Sequence, residues 1–323
     1  MKISTVIPTY RRPKDLKRCL EAMENQTRVS DETIVVVRDT DFETWTLLNN
    51  SKSNFSSLKI LKVTLPGVVA AMNLGLQESK GDIIAFTDDD AAPHPDWLEK
   101  IEQYFLQDES IGSVGGKDWQ YYGNEKLESS REIVGQLQWF GRFIGNHHLG
   151  YGKTREVDVL KGVNMSFRRS AIKEMRFDER MKGAGAQVHF ELAFCLALKK
   201  LGWKLIYDPE VAVDHYPALR FDEDKRGKFN DRAFFNSVHN ETLILLEHLP
   251  LAKRIAFILW INLIGSRKNF GLLQLLRFLP KEKGIALQKW LASVKGRYQA
   301  QLTWQNSLKK LDNQRSNFVS KPE

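Results

Sequence analysis

The chain has 323 residues, 42% of them hydrophobic and 27% charged, which is long enough to bury a sizeable core and unlike the composition of a disordered or fibrous chain. Its two cysteines, Cys19 and Cys195, each lie in an apolar helical pattern, which argues against a disulfide framework or a zinc site and for a reducing, cytoplasmic setting. The net charge of +8 is uneven: residues 250–323 carry 14 Lys+Arg against Glu282, Asp312 and Glu323, or +11, leaving −3 for the first 249. An anionic partner is therefore expected at the C-terminal part if anywhere, as a membrane surface or nucleic acid, against the plainer reading of a solvated basic surface.

The opening MKISTVIPTYRRP has too short an apolar run for a signal peptide and reads as a first strand at 3–8. Pro13 suits a first helical turn and starts a helix to about Met23. Strands are expected at 32–37 and 58–63, a helix at 68–79 between Gly67 and Gly81, and a strand at 82–87. Strands and helices alternating in this way are βαβ units of a mainly parallel sheet, with ligands beyond the strands' carboxyl ends, after Pro8, Val37, Val63 and Thr87. Segment 157–172 reads as strand, turn, strand and helix, 188–202 as a helix, and 203–208 and 211–216 as two strands parted by Pro209. Beyond Asn230 the pattern is helical. The apolar run 255–265 is too short to span a bilayer and is flanked by Lys253, Arg254, Arg267 and Lys268. It fits a helix buried against the sheet domain or one lying in a membrane interface.

Strand 82–87 ends in Asp88, Asp89 and Asp90. In extended chain alternate side chains share a face, so Asp88 and Asp90 point together and Asp89 elsewhere. Two carboxylates so placed suit Mg²⁺ or Mn²⁺, whose remaining positions take water and substrate phosphates. Asp96 reads as helix-start chemistry for the segment beginning Trp97–Leu98.

Four segments occur in order: VIPTYRRPKDLKRCLEAMENQT, PGVVAAMNLGLQESKGDIIAFTDDDAAPHPDWLEK, GVNMSFRRSAI and LKKLGWKLIYDPEVAVDHYP. Over roughly residues 1–217 the chain resembles the family 2 glycosyltransferases, which are inverting, nucleotide-sugar-dependent enzymes with a GT-A fold. The resemblance implies an α/β GT-A catalytic domain over 1–232, Rossmann-like with helices flanking a mainly parallel sheet, and a helical basic extension over 233–323. It assigns Pro8, Thr9 and Tyr10 to a nucleotide-contacting loop with Arg11 or Arg12 at its edge, and Asp39 to a second one. There Arg38 stands where the family has an acid, and a guanidinium cannot accept from a uracil N–H; Asp41 follows two residues beyond Asp39. Asp88 and Asp90 match the metal-binding pair, with Asp89 turned to the donor sugar or ribose, and His215 completes the metal or diphosphate site. Gly162, Asn164 and Met165 match a loop lining donor and acceptor, Asn164 being suited to a sugar hydroxyl. Glu191 stands where the family has its catalytic base, with Phe190 replacing the first acid of the usual pair and His189 as the rival base.

Arg168 and Arg169 read as a solvated pair before a helix capped by Ser170, and 217–232 as a mobile loop whose Arg220, Arg226 and Lys228 are candidates for phosphate contact. The expected activity is transfer from a nucleotide-diphosphate sugar to a saccharide or lipid-linked saccharide hydroxyl, in polysaccharide, glycolipid or other cell-surface glycan synthesis. The setting is the cytoplasm or the cytosolic membrane face, with residues 250–323 as peripheral contact. Two alternatives remain. A metal-dependent nucleotidyltransferase or phosphohydrolase would use the aspartates but gives no reason for the GVNM loop. A non-catalytic nucleic-acid-binding protein would use the basic C-terminus, although the aromatics there sit in apolar runs instead of interleaving with the cations.

Overall fold

The computed structural model describes residues 1–51, 57–123, 125–225 and 228–319. They form two compact units, the first made of Met1–Gln138, Phe143–Glu179 and Phe190–Phe221.

The first unit is a sheet with helices on it. Its elements begin with β1 (Ile3–Thr9), α1 (Pro13–Glu24), β2 (Glu32–Arg38), α2 (Phe42–Ser51), β3 (Leu58–Val63), α3 (Val68–Glu78), β4 (Ile83–Thr87) and β5 (Ala91–Pro93). There follow α4 (Trp97–Gln107), β6 (Ile111–Tyr122), β7 (Arg155–Glu156), β8 (Asn164–Arg168), α5 (Arg169–Ile172), α6 (Phe190–Lys200) and β9 (Lys204–His215). Strand order is β7-β9-β6-β8-β4-β1-β2-β3, with β5 also pairing β9. Strands β4, β1, β2 and β3 are mutually parallel, and β8 runs antiparallel between β4 and β6. Strands buried on both faces need continuous apolar runs, which is why IVVV and IIAF carry no alternation. One face of β1, β2 and β4 packs Ile3, Ile7, Val35, Val37 and Ile83 against Leu16, Cys19 and Leu20 of α1 and Trp97, Ile101 and Phe105 of α4. This core fixes the carboxyl ends of β1 and β4 side by side.

Several local expectations are corrected. Residues 157–161 are not a strand: the N–H groups of Asp158 and Val159 both donate to Gly135 O, and only β7 joins the ladder. The two strands expected around Pro209 are one, β9, whose register against β6 slips between Asp208 and Val213; the bulge takes up the proline. Asp96 makes no capping hydrogen bond and pairs instead with Lys100 at 2.8 Å. Arg168 and Arg169 are not a solvated pair, because Arg168 Nε donates to Ile111 O (2.9 Å) and Arg169 Nη2 to Ser79 O (2.8 Å). Helix α5 starts at Arg169, so Ser170 lies inside it.

Strand β6 gives no β pattern in sequence because it carries Gly112, Gly115 and Gly116. The glycines are there for close approach: a Cβ on Gly116 would lie 2.0 Å from Val211 O and 2.2 Å from Asp208 O. Both are backbone atoms that no rotamer change moves. Gly116→Ala is therefore expected to cost about 3 kcal/mol or more, read as a lowered urea midpoint.

The second unit comprises Trp139–Arg142, Arg180–His189 and Asp222–Glu323. It contains α7 (Asp231–His248), α8 (Leu251–Leu263), a hairpin of β10 (Gly265–Ser266) and β11 (Asn269–Phe270), α9 (Leu272–Glu282) and α10 (Gly284–Val319). Asn230 caps α7 through Oδ1, which accepts from Ala233 N at 3.0 Å. No helix among the described residues is long and apolar enough to cross a membrane.

Candidate active site

The carboxyl end of β4 passes into β5 through a turn at Asp88–Asp90, closed by Ala91 N on Asp88 O at 3.2 Å, so it is this turn and not extended-chain alternation that divides the three side chains. Asp88 and Asp90, joined by His215 from the end of β9, each bring one ligand atom into a group within 4.8 Å. Asp89 points away, accepting from Thr9 Oγ1 at 2.7 Å and Arg12 Nη1 at 2.7 Å. Arg12 also lies 3.4 Å from Asp90 Oδ2 and donates through Nε to Leu219 O at 3.2 Å. Asp90 is held further by Ala218 N, which donates to its Oδ2 at 2.9 Å.

His215 is set by what lies behind it. Its Nδ1 is 3.2 Å from Asp118 Oδ2 on β6, and its Nε2 faces Asp90 Oδ1 at 3.4 Å. Asp118 is fully buried, is ion-paired with Lys161, and accepts from Gln120 Nε2 at 3.1 Å. A buried carboxylate behind an imidazole fixes which ring nitrogen faces the metal position and orients the ring. Burial alone would raise the Asp118 carboxyl, but Lys161 and His215 outweigh it and hold it well below the usual carboxylate range. At Asp90 burial is likewise outweighed, here by His215 and Arg12. Burial and the neighbouring Asp90 push Asp88 up, and burial carries Asp89 to about 7 against the pull of Arg12. Burial would lower the His215 imidazolium, but Asp118 and Asp90 keep it raised.

Four carboxylates, Asp88, Asp89, Asp90 and Asp118, thus face Arg12, Lys161 and His215. Two carboxylates and one imidazole converge on one point, a donor set of oxygen and nitrogen that suits a divalent cation, whose charge would offset the crowding of acids. The residues present fit a metal.

Glu191 sits half-buried in the first turn of α6. Burial raises its carboxyl, Lys161 and Arg220 draw it down, and Asp88 adds to the rise, so it belongs to the same charged cluster. His189 lies in the second unit, with Nε2 3.2 Å from Ser237 Oγ; burial and Lys268 push it down to about 4.

Other residues singled out in the sequence are occupied within the protein. Asn164 is fully buried: Oδ1 accepts from Trp97 Nε1 (2.9 Å), and Nδ2 donates to Val211 O (2.8 Å) and Lys117 O (3.4 Å). It clamps β8 to its neighbours and is not turned to a sugar hydroxyl. At Gly162 a Cβ would come 2.8 Å from Phe190 Cζ, so the glycine makes room for that ring and not for a ligand. Asp89, placed toward a donor sugar or ribose by the resemblance, accepts here from Thr9 and Arg12. Tyr10 is half-buried, edge-on to Phe221 at 6.4 Å with the Arg11 guanidinium 5.1 Å from its ring, and Pro8 precedes it half-buried in β1. Asp39 pairs with Arg38 at 3.1 Å, whereas Asp41 is buried and accepts from Arg11 N and Thr44 N at the start of α2. Arg220 is half-buried, Lys228 lies in the second unit, and Arg226 lies outside the described residues.

Nothing in the sequence singles out Asp118 or Lys161: Lys161 stands directly before Gly162, but its partner is 43 residues away on the glycine-rich strand.

Residues 4–176 match the family model described as glycosyl transferase family 2. The glycosyltransferase AglE of Haloferax volcanii is 33% identical over 81% of this chain and 80% of its own. The glucosyl-dolichyl phosphate glucuronosyltransferase of the same organism is 24% identical over 67% of this chain and 69% of its own. Among solved structures, S. aureus TarS 1–349 in complex with UDP-GlcNAc aligns at TM-score 0.63 and 17% identity, covering 93% of this chain and 81% of that one. The mannosyltransferase PcManGT from Pyrobaculum calidifontis, in complex with GDP-Man and Mn²⁺, aligns at TM-score 0.54 and 15% identity, covering 94% of this chain and 86% of that one. These two share the fold of the first unit's sheet, the GT-A fold. The chain belongs to glycosyl transferase family 2 and is a glycosyltransferase of glycan synthesis.

Proposed function

We propose that the protein transfers a sugar with inversion from a nucleoside-diphosphate sugar to an acceptor hydroxyl, with Glu191 as the base. The observation that carries this is the convergence of Asp88, Asp90 and His215 at the carboxyl end of β4, with Glu191 in the same charged cluster. Mg²⁺ or Mn²⁺ held by these three would neutralise the diphosphate as it leaves. Thr9 and Arg12 hold Asp89 in place, and Arg12 also reaches Asp90 Oδ2 at 3.4 Å, so it fixes the orientation of one ligand carboxylate directly. Glu191 takes the acceptor proton as the hydroxyl attacks the anomeric carbon in line, and one displacement inverts that centre. Tyr10, Pro8 and Asp39, at the ends of β1 and β2, offer a ring and a carboxylate to the nucleotide.

The donors bound by TarS and PcManGT, UDP-GlcNAc and GDP-Man, support a nucleoside diphosphate sugar here. A relative named for a dolichyl phosphate-linked glucose supports a lipid-linked saccharide as acceptor. With such an acceptor the enzyme would work at the cytosolic face of a membrane, residues 250–323 being the contact we infer. The test is a thermal shift series with UDP, GDP, ADP, CDP and dTDP, each with and without Mn²⁺. At least one is expected to raise the melting temperature only when Mn²⁺ is present. No metal-dependent stabilisation by any of them overturns the proposal.

A further inference from the structure

The helices after Pro250 carry large apolar side chains on their outer faces. In α9 the buried side chain is Gln274, whereas Leu272, Leu273, Leu276 and Leu279 are exposed. At 100° per residue Leu272, Leu276 and Leu279 share one face. Helix α8 turns Phe257 and Ile261 inward and leaves Leu251, Ile255, Ile258, Leu259 and Leu263 outside, Leu251 at 68% and Leu259 at 57% exposure. In the first turns of α10 the buried residues include Ala286, Ser293 and Arg297, while Leu287, Leu291, Val294 and Tyr298 lie outside. Single exposed leucines are ordinary on a water-soluble protein, but successive helices with apolar outer faces mark an interaction surface.

The charge around these faces is predominantly positive, the one acid of α9, Glu282, being paired with Lys289. Residues 249–281 contain Lys253, Arg254, Arg267, Lys268, Arg277 and Lys281 and no acid. Arg267 and Lys268 are exposed at the tip of the β10–β11 hairpin that joins α8 to α9. Beside α8 stands an aromatic ladder: Trp139, 66% exposed, is edge-on to Phe140 at 5.5 Å, which is edge-on to Trp260 of α8 at 5.2 Å. An exposed indole next to an apolar helix face is a combination that settles at the headgroup layer of a bilayer.

We propose that α8, α9 and their hairpin, with Trp139, form a face that seats the protein on an anionic lipid surface, leucines in the acyl boundary and cations among the phosphates. This rests on the membrane location proposed above and sharpens it to named helices and a headgroup charge. The helices do not cross; an amphipathic face of this kind lies in the plane of the interface. A second copy of the chain is the competing occupant. Two-fold pairing would set this face against itself, six cations against six with one acid per copy, Glu282, which Lys289 already holds at 2.6 Å, whereas phosphate headgroups supply the missing charge.

The test is flotation of the full chain with vesicles of equimolar phosphatidylcholine and phosphatidylglycerol, against phosphatidylcholine alone. The wild type is expected to float with the mixed vesicles and to be released by salt. Arg267→Glu with Lys268→Glu should weaken partition at least roughly tenfold, since each cation near such a surface is worth about a factor of five. Leu259→Gln with Leu276→Gln should do the same at unchanged salt dependence, since no charge is altered. Both pairs are exposed, and an unchanged melting temperature with Mn²⁺-dependent nucleotide stabilisation confirms that the site is intact. Absence of wild-type flotation with that stabilisation preserved overturns the lipid face and leaves the transferase reading standing. A concentration-dependent dimer broken by the leucine variant, without flotation, assigns the face to a second copy and overturns it equally.

Discussion

Glu191→Gln should lower sugar transfer by roughly 10²- to 10⁴-fold, the usual worth of a positioned general base, while Mn²⁺-dependent nucleotide binding stays as in the wild type. The substitution keeps shape and removes only the ability to take a proton. Because burial and Asp88 raise the Glu191 carboxyl against the pull of Lys161 and Arg220, the base is competent only above a pH higher than an ordinary glutamate requires. The acid limb of the wild-type rate profile should therefore lie above the usual carboxylate range and be absent from the residual activity of Glu191→Gln. Stability runs the opposite way. A carboxyl whose folded pKa is raised favours the fold below its unfolded pKa, and that contribution is lost as pH rises through the folded value. Above its folded value the ionised, half-buried Glu191 costs stability, so Glu191→Gln should melt higher than the wild type there and converge with it in acid. A variant that keeps more than half the wild-type rate transfers the role elsewhere. His189→Ala is the matched control: its imidazole is pushed down to about 4 and engaged with Ser237 in the second unit, and its loss is expected to leave the acid limb in place.

What could be read in advance follows from where the information resides. Strands β1, β2, β3 and β4 are legible because residues buried on both faces must be apolar, and the chemistry beyond their carboxyl ends follows from parallel pairing. The position of the three aspartates beyond β4 is legible for the same reason, but the turn that divides their side chains is not, since Ala91 N closes it on Asp88 O where extended chain is expected. Partners are not legible either, because they come from distant segments. Asn164 looks available in the sequence, yet Trp97 and Val211 arrive from 67 and 47 residues away to occupy it. Arg168 and Arg169 look solvated until the carbonyls of Ile111 and Ser79 appear beside them. The least legible element is β6, where glycines erase the β pattern while admitting the backbone of β9, and it is this strand that carries Asp118. A sequence pattern records what a residue is, and a site depends on which residues close packing brings behind it.

Asp118→Asn should weaken Mn²⁺ binding by about 10- to 100-fold, the range for removing a carboxylate that orients a metal-facing histidine, although Asp118 lies outside the ligand group. The carboxylate accepts from Lys161 and Gln120 and lies 3.2 Å from His215 Nδ1, so Nε2 is the nitrogen left facing Asp90. An amide in its place can still accept one hydrogen bond, but it carries no charge to hold the imidazole and Lys161 together. Stability should fall as well, by about 3 kcal/mol, because a buried pair that loses one member leaves the other uncompensated. The two effects are separable. Lys161 keeps 28% of its side chain exposed and Asp118 none, so Lys161→Met alone strands the buried acid and should be the less stable single variant. Combining Asp118→Asn with Lys161→Met removes both charges and should recover most of the urea midpoint. Mn²⁺ affinity, followed by loss of the free-ion paramagnetic resonance signal, should stay low in the double variant because the orienting carboxylate is still missing. Recovery of affinity together with stability would make Asp118 a structural residue only. Recovery of stability alone makes it the residue that aims His215.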